Sequence, residues 1–145
     1  FAKKQLEEAE KQGHKLSYII WIQGESDSRM FSNLDKGQGP FFLESHGKEK
    51  FYYESFKIIL QKLFDSKNIK QDVKVIITTT SICRNKPSKL ITNQQKLLAF
   101  NNSNIYITSV TDSLDDSFRF DGCHLNGKGV DQTAIEIANL INKLN

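Results

Sequence analysis

The chain predicts an α/β domain built on a parallel sheet, and three observations carry that prediction. Short runs of apolar and β-branched residues alternate with longer segments of helical periodicity. Each candidate strand is separated from the next by a segment long enough for a crossover helix, the connection parallel strands require. The strands themselves are apolar runs, as expected where helices cover both faces of a sheet. With 145 residues, 38% hydrophobic and 26% charged, the chain (residues 1–145) has the size of one domain and can bury a real core.

The elements follow in order. Leu6, Ala9 and the charges around them predict a surface helix over residues 2–12, closed by Gly13 as a C-cap. Residues 17–22 read as a buried strand. From residue 28 to 47 the pattern dissolves around Gly37, Gly39 and Pro40, with Phe41 and Phe42 standing out. A loop of that length is expected to be functional, and it is the candidate for substrate selection. Tyr52, Phe56, Ile59, Leu60 and Leu63 fall on one helix face. Residues 73–77, extended by the threonines at 78–80, form the next strand. After Pro87, Leu90, Gln94, Leu97 and Leu98 mark a helix, and residues 105–110 a third strand. Val130, Ala134, Ile137, Ala138, Ile141 and Leu144 mark a final helix, with Asn126 as its N-cap. No internal repeat, low-complexity tract or second domain interrupts this order.

Composition excludes several functions. A formal net charge of +3 comes from lysines scattered over helix faces, without the basic patch that nucleic-acid binding needs. No apolar stretch approaches the roughly 20 residues of a membrane span. The charged opening segment is not a signal peptide. It lacks an initial methionine and reads as a cut edge, so the compartment stays open. Three histidines and two cysteines, widely separated, give no zinc spacing, and no cofactor is expected. Two cysteines are also too few for a disulfide framework. Cys83 reads as a small buried residue after a strand. Cys123 reads as core packing rather than as a nucleophile paired with the adjacent His124.

Ligands of open parallel sheets bind beyond the carboxyl ends of the strands. Residues 23–27, 81–85 and 111–124 leave the three predicted strands at that edge. In the third loop, Asp121-Gly122-Cys123-His124 puts a carboxylate three residues before an imidazole. Such a carboxylate can hold Nδ1–H and leave Nε2 free as a general base. In the first loop, Gln23 and Gly24 are candidate oxyanion donors, since Gly24 lets a backbone N–H approach a ligand without a Cβ in the way. Glu25 has two readings, orienting His124 in place of Asp121 or bracing its own loop, and the second is favoured. Asp27 reads as a turn cap. Ser26 lacks the strand-to-helix elbow of an activated serine and is not read as a nucleophile. His14 and His46 read as structural or solvated. Arg29, Arg84 and Arg119 read as ordinary surface ion-pair residues, or as candidates to meet a carboxylate of a ligand.

Trp21-Ile22-Gln23-Gly24-Glu25-Ser26-Asp27 and Asp121-Gly122-Cys123-His124-Leu125 together resemble the two later catalytic blocks of the SGNH (GDSL-type) hydrolases. The similarity is to the branch of sialate O-acetylesterases and acetylxylan esterases. The resemblance implies a three-layer α/β/α sandwich with a flavodoxin-like parallel sheet, lacking its first strand in this chain. It implies His124 as base with Asp121 as its partner, Gln23 and Gly24 at the oxyanion hole with Glu25 beside them, and no cofactor. The substrate class it implies is an O-acetylated carbohydrate such as sialic acid or xylan. The family's Gly-Asp-Ser or Gly-Gln-Ser block is absent, so the nucleophilic serine is expected upstream of Phe1 or on a companion N-terminal polypeptide. The alternative is a non-catalytic relative that binds glycan or protein through the same cleft.

Overall fold

The structure, a computed structural model, describes residues 2–34, 48–65, 69–83 and 87–145. Helix α1 (Ala2–Lys11) stops where Gly13 takes a φ of 75°. There the Gly13 amide donates to Glu10 O at 2.8 Å and the His14 amide to Ala9 O at 2.9 Å, a left-handed closure that glycine permits. Strand β1 (Leu16–Trp21) leads into α2 (Glu25–Leu34). Residues 28–34 are therefore helical, which corrects the expectation of loop. Glu25 and Asp27 in the first turn suit the positive end of the helix dipole, a local signal that hydrophobic periodicity overlooks. The rest of that segment, with Phe41, Phe42 and His46, lies outside the described residues.

Helix α3 (Lys48–Phe64), strand β2 (Ile69–Thr78), helix α4 (Lys89–Phe100) and strand β3 (Ile105–Thr108) follow. A short helix α5 (Val110–Ser113), a 3-10 turn (Asp116–Phe118) and the long α6 (Gly127–Leu144) complete the order. Val110 belongs to α5 rather than to the third strand. The fold is α/β, as the sequence predicts. Its sheet is parallel in the order β1-β2-β3, with Ile19 opposite Val75 and Val75 opposite Ile105.

One face of that sheet is well covered. Val75, Ile77 and Ile105 pack with Tyr52, Phe56 and Leu60 of α3 and Ile91 and Leu98 of α4, and Ile19 and Trp21 lie against them. Tyr52, Phe56 and Leu60 are spaced four residues apart and form the stripe, which leaves Ile59 and Leu97 exposed despite their predicted core positions. Each fully buried aliphatic or aromatic chain here stabilises by about 1.5–3 kcal/mol.

The opposite face differs. The carboxyl end of α6 is tied to it, with Tyr18 OH donating to Asn145 Oδ1 at 2.5 Å and the Lys74 ammonium to Leu144 O. Further along, however, β1 and α6 diverge. Ile20 is 46% exposed, Ile22 47% and Val130 54%, and Ala134 and Ala138 are exposed too. An apolar groove of about 620 Å³ runs between them. Among the described residues no strand pairs with the outer edge of β1. The expectation of a buried first strand and a sheet covered on both faces is therefore corrected at β1. A hydrophobic pattern reports which face is apolar, and not whether its cover is present.

Candidate active site

The loop after β3 is folded by its own polar groups. Arg119 and Leu125 form an antiparallel bridge, and the Phe120 amide donates to His124 O at 3.1 Å. Gly122 turns the chain with a φ of 72°. Inside this turn, Asp121 Oδ1 accepts the amides of Cys123 at 2.9 Å and His124 at 2.7 Å. Its Oδ2 lies 2.6 Å from His124 Nδ1. A carboxylate only accepts, so Nδ1 carries the proton and Nε2 is left as the acceptor. These bonds, the His124 amide first and its ring next, hold the Asp121 carboxyl down to about 2. Asp121, and not Glu25, therefore orients the imidazole. The ring of Phe120 lies nearly parallel to it at 5.5 Å. Asn126 then caps α6 through the Gly129 amide, as its position in the sequence predicts.

The first loop is built from the other side. Gly24 sits with a φ of 155°, its α-carbon pressed against the backbone of Thr80. Its lack of a side chain serves the close approach of these two loops. The Gln23 carbonyl accepts from Tyr52 OH at 2.9 Å and Gln95 Nε2 at 3.0 Å. Tyr52 OH accepts in turn from Trp21 Nε1 and from Gln95. Burial pushes the Tyr52 phenol up to about 12, so it stays a neutral donor.

The Gln23 side-chain amide donates to the Asp27 carboxylate. Both residues line a cleft with Trp21 and Tyr52 on the α3 side. Glu25 instead lines the apolar groove together with Ile20, Ile22, His124 and Leu125. Burial raises the Glu25 carboxyl, opposed by its own backbone amide and by the charges of Arg119 and His124. The structure thus places His124 and Glu25 on one groove, with Asp121 bonded to His124, while Gln23 lines the cleft on the α3 side. Burial likewise raises Asp27, against the hydrogen bond from Gln23.

Three further groups shape the site. Cys123 is buried, as expected, and Cys83 is half-buried. The two form a disulfide across 40 residues, which corrects the expectation that they are unpaired. The Asp112 carboxylate accepts the Ser81 amide and hydroxyl, each at 2.7 Å, and the Ile82 amide at 3.1 Å. Arg119 is buried and donates to Cys123 O at 2.5 Å and Thr111 O at 2.6 Å, so it holds backbone rather than offering itself to a substrate carboxylate. Arg29 is exposed on α2, and Arg84 lies outside the described residues. Among the described residues no group of three or more metal-ligating side chains assembles, and no helix is long and apolar enough to cross a membrane.

Comparison with protein-family models, with curated proteins and with solved structures finds no match to this chain. What the arrangement offers chemically is a carboxylate-anchored imidazole whose free nitrogen can take a proton from a hydroxyl nucleophile and return it to a leaving group. Among the described residues, the ring's hydrogen-bond partner is Asp121 and no hydroxyl bonds to it.

Proposed function

We propose that this chain is the base-carrying part of a carbohydrate O-acetylesterase of the SGNH type. Its nucleophilic serine is carried by polypeptide outside these 145 residues. The observation that supports this reading most is the 2.6 Å contact of Asp121 and His124 at an apolar groove, beside an edge of β1 that no strand among the described residues pairs. An added strand on that edge completes a flavodoxin-like three-layer sandwich and brings its own carboxyl end toward His124. An uncovered apolar groove and an open strand edge are both features that proteins normally hide. In this reading His124 Nε2 takes the serine proton, Asp121 stabilises the imidazolium, and the Gly24 backbone amide stabilises the oxyanion. No cofactor takes part. The substrate is an acetylated sugar such as sialic acid or xylan, released as free sugar and acetate.

The test is to extend the coding sequence upstream, or to co-express a companion segment carrying a Gly-Asp-Ser or Gly-Gln-Ser block. Acetate release from O-acetylated sialic acid and acetylated xylo-oligosaccharides is then assayed. His124→Ala is expected to abolish release, and Asp121→Asn to cut it by about 10⁴-fold. An unaffected rate in His124→Ala removes the base assignment. Binding of acetylated glycan without any acetate release favours the second reading, a non-catalytic glycan-binding domain; its motivating observation is that, among the described residues, no hydroxyl bonds to the His124 ring.

A further inference from the structure

We propose that the Cys83–Cys123 disulfide positions the Asp121–His124 pair, so that a dithiol able to open it disengages the base. The consequence for catalysis rests on the reading of His124 as the base; the positioning itself does not.

Packing does not fix this pair. The side chains of His124 and Asp121 are 61% and 41% exposed. The ring stacked on His124, Phe120, is 70% exposed itself. Hydrogen bonds between Phe120 and His124, and between Asp121 and the amides at 123 and 124, give the loop its shape but do not anchor it to the sheet. Two anchors hold the turn. One is Arg119, which reaches Thr111 O and also Cys123 O, so part of the hold on residue 123 survives reduction. The other is the disulfide at Cys123, within the Asp-x-x-His turn.

The far end of the bridge is held firmly. Cys83 lies two residues beyond Ser81, whose amide and hydroxyl are clamped by Asp112 and whose Oγ also accepts the Ser88 amide and the Thr92 hydroxyl, each at 3.1 Å. Asp112 belongs to α5, directly after β3. Position therefore passes from the carboxyl ends of β2 and β3 through Asp112 and Ser81 to Cys83, and across the bridge to the residue between Asp121 and His124.

Opening the bridge balances as thiol–disulfide exchange. A thiolate of the dithiol attacks Sγ of Cys83, the less buried partner. The protein S–S bond breaks and Cys123 leaves as a thiolate that takes a proton from water. The second thiol of the reductant then attacks the mixed disulfide and releases Cys83, giving two protein thiols and an oxidised dithiol. The base is then held in place only where thiols stay oxidised.

The experiment is backbone amide exchange on the 145-residue chain, oxidised and in dithiothreitol. Reduction is expected to accelerate exchange at the Cys123 and His124 amides at least about tenfold. The Asp121 carboxyl is expected to titrate above its oxidised value of about 2, since it loses those same donors. The amides of Val75 and Ile77 serve as the internal control for an intact core. Unchanged exchange at 123 and 124 overturns the proposal. Should reduction unfold the core, Asp112→Asn supplies the second arm, because it loosens the anchor with the bridge closed. Faster exchange at 123 and 124 over an intact core then supports positioning, and unchanged exchange refutes it. Loss of protection in a chain whose completed form releases no acetate keeps the positioning and removes the esterase reading. Acetate release that persists with protection unchanged does the reverse.

Discussion

A Cβ placed on Gly24 would fall 1.8 Å from the carbonyl oxygen of Thr80. The loop after β1 and the end of β2 meet there backbone to backbone, at a φ of 155° that side chains rarely adopt. Gly24→Ala must therefore both separate the two segments and strain its own backbone. Overpacking and an unfavourable φ each cost about 1–3 kcal/mol. The expected loss is about 3 kcal/mol or more, read as a fall in the urea midpoint. A wild-type midpoint would mean that Thr80 moves aside freely.

What the sequence made legible follows from how local each signal is. Asp121 and His124 lie on one tight turn, so their spacing alone brings them within bonding distance. Tyr52, Phe56 and Leu60 repeat every four residues, so the stripe facing the sheet is visible before any fold is known. Cys83 and Cys123 are different. They are 40 residues apart, and only the parallel placement of β2 beside β3 brings them together. The direction of Gln23 likewise depends on alternation along β1. It follows Trp21 to the α3 side, while Ile22 turns to the groove. Gln95 is fully buried on α4, next to Gln94 of the predicted stripe. Its role as a brace for the Gln23 carbonyl requires the positions of two other elements.

The Asp121 carboxyl links stability to acid pH. Its folded value of about 2 lies below the roughly 3.9 of an unfolded aspartate, so the folded state binds fewer protons between them. The stabilisation from its hydrogen bonds is present above about pH 4 and disappears as pH falls through about 2. The stability difference between wild type and Asp121→Asn should be constant near neutrality and shrink over that interval. A difference that grows on acidification would contradict the assignment. Denaturant titrations at several pH values give the comparison directly.

Removing the bridge also has an equilibrium cost. Closing a loop of 40 residues restricts the unfolded chain, and the loop-entropy relation gives about 4 kcal/mol at 25 °C. The double variant Cys83→Ser, Cys123→Ser should lose stability of that order under oxidising conditions. In excess dithiothreitol its unfolding curve should approach that of wild type. Equal stability of the two proteins without reductant would show that the thiols are unpaired in solution.

The groove between β1 and α6 separates two classes of apolar residue on one helix. Ile137 is 6% exposed, whereas Val130 is 54% exposed. In the 145-residue chain, Ile137→Ala should cost about 2–5 kcal/mol. Val130→Asp should change stability by no more than about 0.5 kcal/mol, because the side chain is already in water and a carboxylate near a helix N-terminus is tolerated. The order should reverse when the proposed serine-bearing strand is supplied. A carboxylate buried at 130 beneath that segment would sit among mainly apolar side chains such as Ile20, Ile22, Leu125 and Ala134, so docking should weaken strongly. Ile137→Ala, once folded, should still bind the segment. Denaturation of each variant alone, followed by co-purification with the segment, distinguishes the cases. A Val130→Asp chain that captures the strand as well as wild type would mean that the groove is a surface feature and is left uncovered in the complete protein.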